Sequence, residues 1–149
     1  MKLNKAGIDL MHEFEGLELE SYLCPAGVPT IGYGNTRYES GRKVKLGETI
    51  TKERAELLFN WWVDKFAIKV MKELKVTLNE NQFSALVSFT YNVGIANLRS
   101  STLLKKVNAN PKDTTIFGEF LKWKFAAGKA SNGLIRRRQS EAELYFTDV

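Results

Sequence analysis

The residues best suited to chemistry lie in one stretch of the chain, from Glu15 to Thr36, where the sequence pattern changes. Before Glu15, apolar residues recur at spacings of three and four, which predicts a helix over about residues 4–15. After Glu15, two prolines, several glycines and a run of β-branched and aromatic residues indicate a short sheet with tight turns. Glu15 therefore stands at the junction of a helix and a sheet. Regular structure can hold a carboxylate still at such a junction while it faces a cleft, as acid–base chemistry requires.

Four segments carry a resemblance to a known family. They are FEG at 14–16, TIGYGNT at 30–36, QFSALVSFTYNVG at 82–94 and GLIRRRQSE at 133–141. Together they resemble the phage lysozymes (endolysins) of glycoside hydrolase family 24, over nearly the whole chain. The catalytic pattern of that family is a Glu, eight residues, an Asp or sometimes a Cys, five residues, and a Thr. Glu15, Cys24 and Thr30 have this spacing.

The resemblance implies a role for each of these three residues. Glu15 would be the general acid that protonates the glycosidic oxygen, and Thr30 would orient the attacking water. Cys24 stands where most family members have Asp, and three interpretations remain open: a thiolate that acts as nucleophile or base, a polar group that positions water, or a small buried residue. The family reaction is inverting, but the cysteine leaves the stereochemical outcome open.

Further residues are candidates for binding the sugar. Gly34 would let a sugar approach the backbone closely. Tyr33 and Asn35 flank it, although side chains alternate between the two faces of a strand. Asn92 matches a family position on the opposite wall of the cleft. The neighbouring Tyr91 has the helical spacing of a core residue.

A basic side chain is also implied near the catalytic Glu. The family places one there from the region that corresponds to residues 136–138, which are all Arg, and we select Arg137 as the supporting residue. Trp123 matches a family tryptophan near the site, but an aromatic residue on the apolar face of a helix more often belongs to the core.

Composition and charge restrict the class of protein. The chain has 149 residues, of which 44% are hydrophobic, and this suits a single globular domain. A net charge of +5 favours polyanionic partners such as nucleic acid, anionic membranes or a bacterial wall. No apolar run approaches the ~20 residues of a membrane span, and no secretory signal is visible. We therefore expect the chain to remain in the cytoplasm of the cell that makes it, and its single cysteine fits a reducing compartment.

The elements that must position the site follow from periodicity. Residues 20–48 lack helical periodicity and contain five of the eleven glycines, which predicts two or three short strands with a turn at 39–42. A run without Gly or Pro predicts a long helix that begins at Thr51. Asn79 starts a capping box for an amphipathic helix that Gly94 ends. Further helices are predicted over about 101–108, 115–127 and 134–146.

These elements predict one α+β domain over 1–149 with two lobes, as in the lysozyme family. The small N-terminal lobe, at about 16–50, contains a short antiparallel sheet. A connecting helix follows at about 51–74. The larger helical lobe covers about 75–149, and the helix at 4–15 is expected to pack on it.

The resemblance implies a monomeric muramidase without cofactor or metal. It would cleave the bond between N-acetylmuramic acid and N-acetylglucosamine in peptidoglycan strands, as a phage endolysin that lyses the host. Without an export signal, it would reach the wall from the host cytoplasm through a separately encoded membrane pore.

Other functions remain open from the sequence alone. A lytic transglycosylase uses one acid/base Glu and lets a sugar hydroxyl attack, and Cys24 in place of Asp is compatible with that. A nucleic-acid-binding protein would use Lys105, Lys106 and the arginines at 136–138. However, successive residues of a helix are rotated by 100°, so the three arginines cannot form one face. A zinc protease or a Cys–His hydrolase is disfavoured because His12 is the only histidine.

Overall fold

The computed structural model describes residues 2–149, which fold as two compact units. The sheet unit is Glu15–Lys65. The helical unit is Phe66–Val149 together with the N-terminal residues through Phe14. Over the described residues the fold is α+β, with seven helices and two small antiparallel sheets, which confirms the predicted fold class.

The sheet unit is built on one hairpin. Strand β1 (Glu18–Leu23) pairs antiparallel with β2 (Pro29–Gly32), with an irregularity in the register between Glu18 and Tyr22. A second turn follows, where Arg37 bridges to Lys43, and this confirms the turn predicted at 39–42. A small core lies beneath the hairpin. Its members are Ile31, Val44 and Leu58.

Helix α2 (Lys52–Glu73) runs from the sheet unit into the helical unit along the chain. The Thr51 hydroxyl accepts a hydrogen bond from the Arg54 backbone N–H at 3.1 Å, so the predicted N-cap is confirmed. At 1.5 Å per residue its 22 residues extend about 33 Å.

The helical unit surrounds α3 (Glu80–Val93), of which most side chains are buried. The capping box at Asn79 and Gln82 is confirmed, as is the helix end at Gly94. Helix α1 (Lys5–Glu15) packs on α3 through its own cap, where the Asn4 backbone N–H donates to Ser84 Oγ at 3.1 Å. The remaining elements are α4 (Ile95–Ser100), α5 (Thr102–Ala109), α6 (Ile116–Leu121), β3 (Phe125–Ala126), β4 (Lys129–Ala130) and α7 (Asn132–Tyr145).

The predicted helix over 115–127 is wrong in its second half. Helix α6 ends at Leu121, and β3 and β4 form a hairpin that begins at Phe125. The two residues between these strands, Ala127 and Gly128, have φ values of 51° and 78°. A two-residue turn with positive φ angles matches the twist of the two strands it joins. Such a turn can form between strands without β-branched residues, whose presence would have indicated strands in the sequence.

Candidate active site

Glu15 is the last residue of α1, and its half-buried carboxylate lies against the backbone of Gly34. A tight turn after β2 brings Gly34 there, because Ile31 and Asn35 exchange two backbone hydrogen bonds of 2.8 and 2.9 Å. Gly34 has a φ of +74°, and an ideal Cβ built on it would lie 2.5 Å from Glu15 Oε1. A glycine at this position is therefore required both by the turn and by the carboxylate.

This contact predicts that Gly34→Ala displaces the Glu15 carboxylate. Since a displacement of about 1 Å can cost about 10²-fold in rate, we expect a loss of that order in digestion of purified peptidoglycan. Gly41→Ala is a matched control, because Gly41 has a similar φ of +89° but open space where its Cβ would be. Both variants should lose stability in thermal melts. Equal activity of the two would contradict the packing of Glu15 on Gly34.

Cys24 and Thr30 lie together in the β1–β2 hairpin. The Cys24 thiol is half-buried and receives hydrogen bonds from the backbone N–H of Val28, then from that of Ala26, and also from the Thr30 side chain. These bonds lower the pKa of the Cys24 thiol below its ordinary value, with the Val28 N–H as the largest cause. The buried Thr30 hydroxyl also donates a hydrogen bond of 2.8 Å to the Val28 carbonyl oxygen. Because a hydroxyl has one hydrogen, Thr30 can donate to the Val28 oxygen or to the Cys24 sulfur, but not to both at once.

The lowered thiol pKa favours a polar role for Cys24 over that of an inert core residue. We expect Cys24→Asp to digest peptidoglycan at least as fast as the wild type, because a carboxylate can accept a proton or a hydrogen bond from water in the same place. Cys24→Ala, which has neither property, is the comparison and should be slower in the same assay. A slow Cys24→Asp variant would mean that the sulfur itself has a specific role.

Tyr22 is a neighbour of these residues that sequence reasoning missed. It pairs directly with Thr30 across the hairpin. Burial raises its pKa, and the charges of Glu15, Glu18 and Cys24 raise it further, in that order. The signal available in the sequence was its position two residues before Cys24 in a segment predicted to contain strands, in which alternate side chains share a face.

The side chains of Tyr33 and Asn35 are buried inside the sheet unit. Only 5% of Tyr33 is exposed, its ring lies 5.1 Å from that of Phe59, and its hydroxyl donates to Glu56 at 2.8 Å. Burial and then Glu56 raise the pKa of Tyr33 to about 12. Asn35 is equally buried. A sugar contact by either side chain stays a prediction, and this burial favours support of the Gly34 turn instead.

Asn92 is exposed near the end of α3 and lines an open pocket of about 450 Å³ in the helical unit. Trp123 and Phe125 form apolar walls of this pocket. The Trp123 ring also packs edge-on against Phe89, with centroids 5.6 Å apart, so it serves the core as well. Tyr91 is half-buried with its ring 5.4 Å from that of Phe66.

Arg137 belongs to a buried cluster of charges on α3 and α7. Its Nε lies 3.2 Å from Glu141 Oε2, and its guanidinium donates to the Ser88 carbonyl oxygen at 3.1 Å. Arg138 Nε lies 2.8 Å from Glu141 Oε1, and both side chains are fully buried. Glu141 thus fixes the orientation of Arg137. The predicted contact of Arg137 with Glu15 stays a prediction.

The arginine run does not form a cationic surface. Arg137 and Arg138 are buried and paired with Glu141, while Arg136 is exposed and lines an open pocket of about 390 Å³ beside Glu13. A phosphate backbone would therefore meet one of the three arginines, which removes the main support for a nucleic-acid-binding function.

Two further classes of feature are absent from residues 2–149. No group of three or more His, Cys, Asp or Glu side chains in this part of the chain is arranged to hold a metal ion. None of the helices there combines the length and the apolar character that crossing a membrane requires.

Several known proteins are similar to this chain over nearly its whole length. A family model described as "Phage lysozyme" matches residues 12–141. The endolysin of Bacillus phage B103 is 43% identical over 152 residues, which cover 99% of this chain and 55% of the relative. The endolysin of Salmonella phage P22 is 33% identical, with 99% of both chains covered. The chain spans about half the length of the Bacillus phage relatives it matches.

Solved structures give the same fold. The endolysin from Escherichia coli O157:H7 phage FAHEc1 superposes with a TM-score of 0.91 at 43% identity, covering 100% of this chain and 96% of that one. The muramidase domain of SpmX from Asticaccaulis excentricus superposes with a TM-score of 0.86 at 32% identity, with 99% of both chains covered.

Proposed function

Because the chain belongs to the phage lysozyme family, whose model matches residues 12–141, we propose that it is a muramidase. It hydrolyses the bond between N-acetylmuramic acid and N-acetylglucosamine in peptidoglycan. The observation that carries the proposal is the arrangement within the sheet unit. There the Glu15 carboxylate is held against Gly34, and Cys24 and Thr30 stand at the family spacing, with the Thr30 side chain among the groups that lower the pKa of the Cys24 thiol.

Glu15 supplies the acid in the proposed reaction. Its proton passes to the glycosidic oxygen as the bond from that oxygen to C1 of N-acetylmuramic acid breaks. A water molecule attacks C1, and its oxygen becomes the hydroxyl of the new reducing end. Because Gly34 has no side chain, the Glu15 carboxylate can take this position without a clash.

Thr30 and Cys24 act on the water. The Thr30 hydroxyl orients it, and the Cys24 thiolate accepts its proton; the lowered pKa of the Cys24 thiol supports this role because it favours the thiolate form. Attack by water on the face opposite to the leaving group gives inversion at C1. Before the next turnover, the Cys24 thiol releases the proton it accepted to solvent, and Glu15 takes one up from solvent.

The names of the relatives support a biological role. Phage proteins of this family are called endolysins, and several are called SAR-endolysins. The proposed role of this chain is lysis of a bacterial host as a monomer, without cofactor. The chain would be made in the host cytoplasm and reach the wall through a separately encoded pore. Its net charge of +5 would favour adhesion to the anionic envelope.

Digestion of purified peptidoglycan tests the proposed function. The suspension should lose turbidity, and new reducing ends should appear in proportion to the loss. Turbidity loss without new reducing ends would instead indicate a lytic transglycosylase, which closes a 1,6-anhydro ring on the sugar. A suspension that stays turbid would exclude both enzymes.

A further inference from the structure

Tyr22 lies on the same face of the β1–β2 hairpin as the predicted water-binding pair. It stands directly opposite Thr30 in the antiparallel register, and side chains in such a pair have Cβ atoms about 4.5–5.5 Å apart. Cys24 follows two residues later, just beyond the end of β1, and its charge is among those that raise the pKa of Tyr22. The pairing of the strands thus groups the phenol, the thiol and the Thr30 hydroxyl.

The phenol is also close to the proposed acid. After burial, the charge of Glu15 is the largest influence that raises the pKa of Tyr22, followed by the charges of Glu18 and Cys24. Negative charges nearby disfavour the phenolate. Tyr22 therefore keeps its hydrogen throughout the pH range in which a carboxylic acid and a thiol titrate, and it can act only as a neutral donor or acceptor.

The hydrogen-bonding capacity of Tyr22 is not used within the protein. Three other tyrosine hydroxyls donate to acceptors of the chain: Tyr33 to Glu56, Tyr38 to Glu48, and Tyr145 to the Pro111 carbonyl oxygen. The Tyr22 hydroxyl has no such partner among residues 2–149, although its side chain is half-buried. A donor held in place beside two reacting groups, and not bonded to either, is suited to a ligand.

We propose that Tyr22 binds the substrate, donating a hydrogen bond from its hydroxyl to an acceptor oxygen of the sugar held between Glu15 and the Cys24–Thr30 pair. This inference rests on the proposed muramidase function and adds a substrate contact to it. The hydrogen bond involves no proton transfer, so its contribution is the same wherever Glu15 and Cys24 are in their active states.

The test is Tyr22→Phe, which removes the hydroxyl and keeps the ring. We expect kcat/KM on purified peptidoglycan to fall about 10-fold, the loss expected when one hydrogen bond to the substrate is removed. The melting temperature should not change, because the hydroxyl bonds to no described residue. The pH–rate profile should be lowered evenly, without a change of shape. Tyr38→Phe is the matched control, and it should retain wild-type kcat/KM because its hydroxyl is bonded to Glu48.

Two results would overturn the inference. One is wild-type kcat/KM in Tyr22→Phe. The other is a change in the shape of its pH–rate profile, which would mean that Tyr22 adjusts the titration of Glu15 or Cys24 and does not bind the sugar. Glu15→Gln, assayed in parallel, distinguishes a failure of the Tyr22 substrate contact from a failure of the proposed muramidase function. An inactive Glu15→Gln with a fully active Tyr22→Phe rejects only the substrate contact, whereas an active Glu15→Gln rejects the muramidase mechanism.

Discussion

Exchange of Glu15 for Gln should lower the turnover of purified peptidoglycan by about 10²- to 10⁴-fold, the contribution expected of a general acid. The amide has the shape of the carboxyl group but no proton to give to the leaving oxygen. It should fit the same half-buried space against Gly34, so the fold is retained. Release of reducing ends measures the first effect, and a thermal melt measures the second.

Glu20→Gln is the matched control for this experiment. Glu20 is an exposed carboxylate of β1 in the same sheet unit, and its replacement makes the same chemical change away from Gly34. It should keep wild-type turnover. If both variants remained active, Glu15 would not be the acid, and the assignment of the whole site would fail with it.

Exchange of Glu141 for Gln should have the largest effect on stability. Its buried carboxylate lies 2.8 Å from Arg138 and 3.2 Å from Arg137, and it accepts a hydrogen bond of 2.5 Å from Ser88. Burial raises the pKa of Glu141, and the two guanidinium groups oppose that shift. Without the carboxylate, both buried guanidinium groups would lose a charged partner that contacts each of them. We expect the free energy of unfolding to fall by about 3–5 kcal/mol.

Urea denaturation measures this loss, with Glu143→Gln as the control. Glu143 lies two residues further along α7 and is exposed, so its replacement should change the free energy of unfolding by less than about 0.5 kcal/mol. A stability of Glu141→Gln equal to that of the control would show that the buried cluster does not hold α7 on α3.

The features that the sequence predicted correctly are those decided by nearby residues. Side-chain caps at Thr51 and Asn79 act within three residues of themselves, so their types and spacing were sufficient. The hairpin in the sheet unit was likewise indicated by its prolines, glycines and β-branched residues. The family resemblance rested on local motifs of the same kind.

The features that the sequence missed depend on distant residues or on weak local signals. The partner of Arg137 is a carboxylate one helical turn away, but the burial of both depends on α3, about fifty residues earlier in the chain, including Ser88. Tyr22 became a candidate only once the register placed it opposite Thr30. The β3–β4 hairpin contains Ala and Lys where strands usually show β-branched residues. Its first strand therefore looked like a continuation of the helix predicted over 115–127.

The measurement that tests the central claim most directly is mass spectrometry of the fragments that the wild type and Glu15→Gln release from purified peptidoglycan in H₂¹⁸O. If Glu15 protonates the leaving oxygen while water attacks, every new N-acetylmuramic acid end made by the wild type should carry one ¹⁸O. Glu15→Gln should then release almost no fragments. Fragments with 1,6-anhydro ends and no ¹⁸O, or labelled fragments released equally by both proteins, would contradict this account.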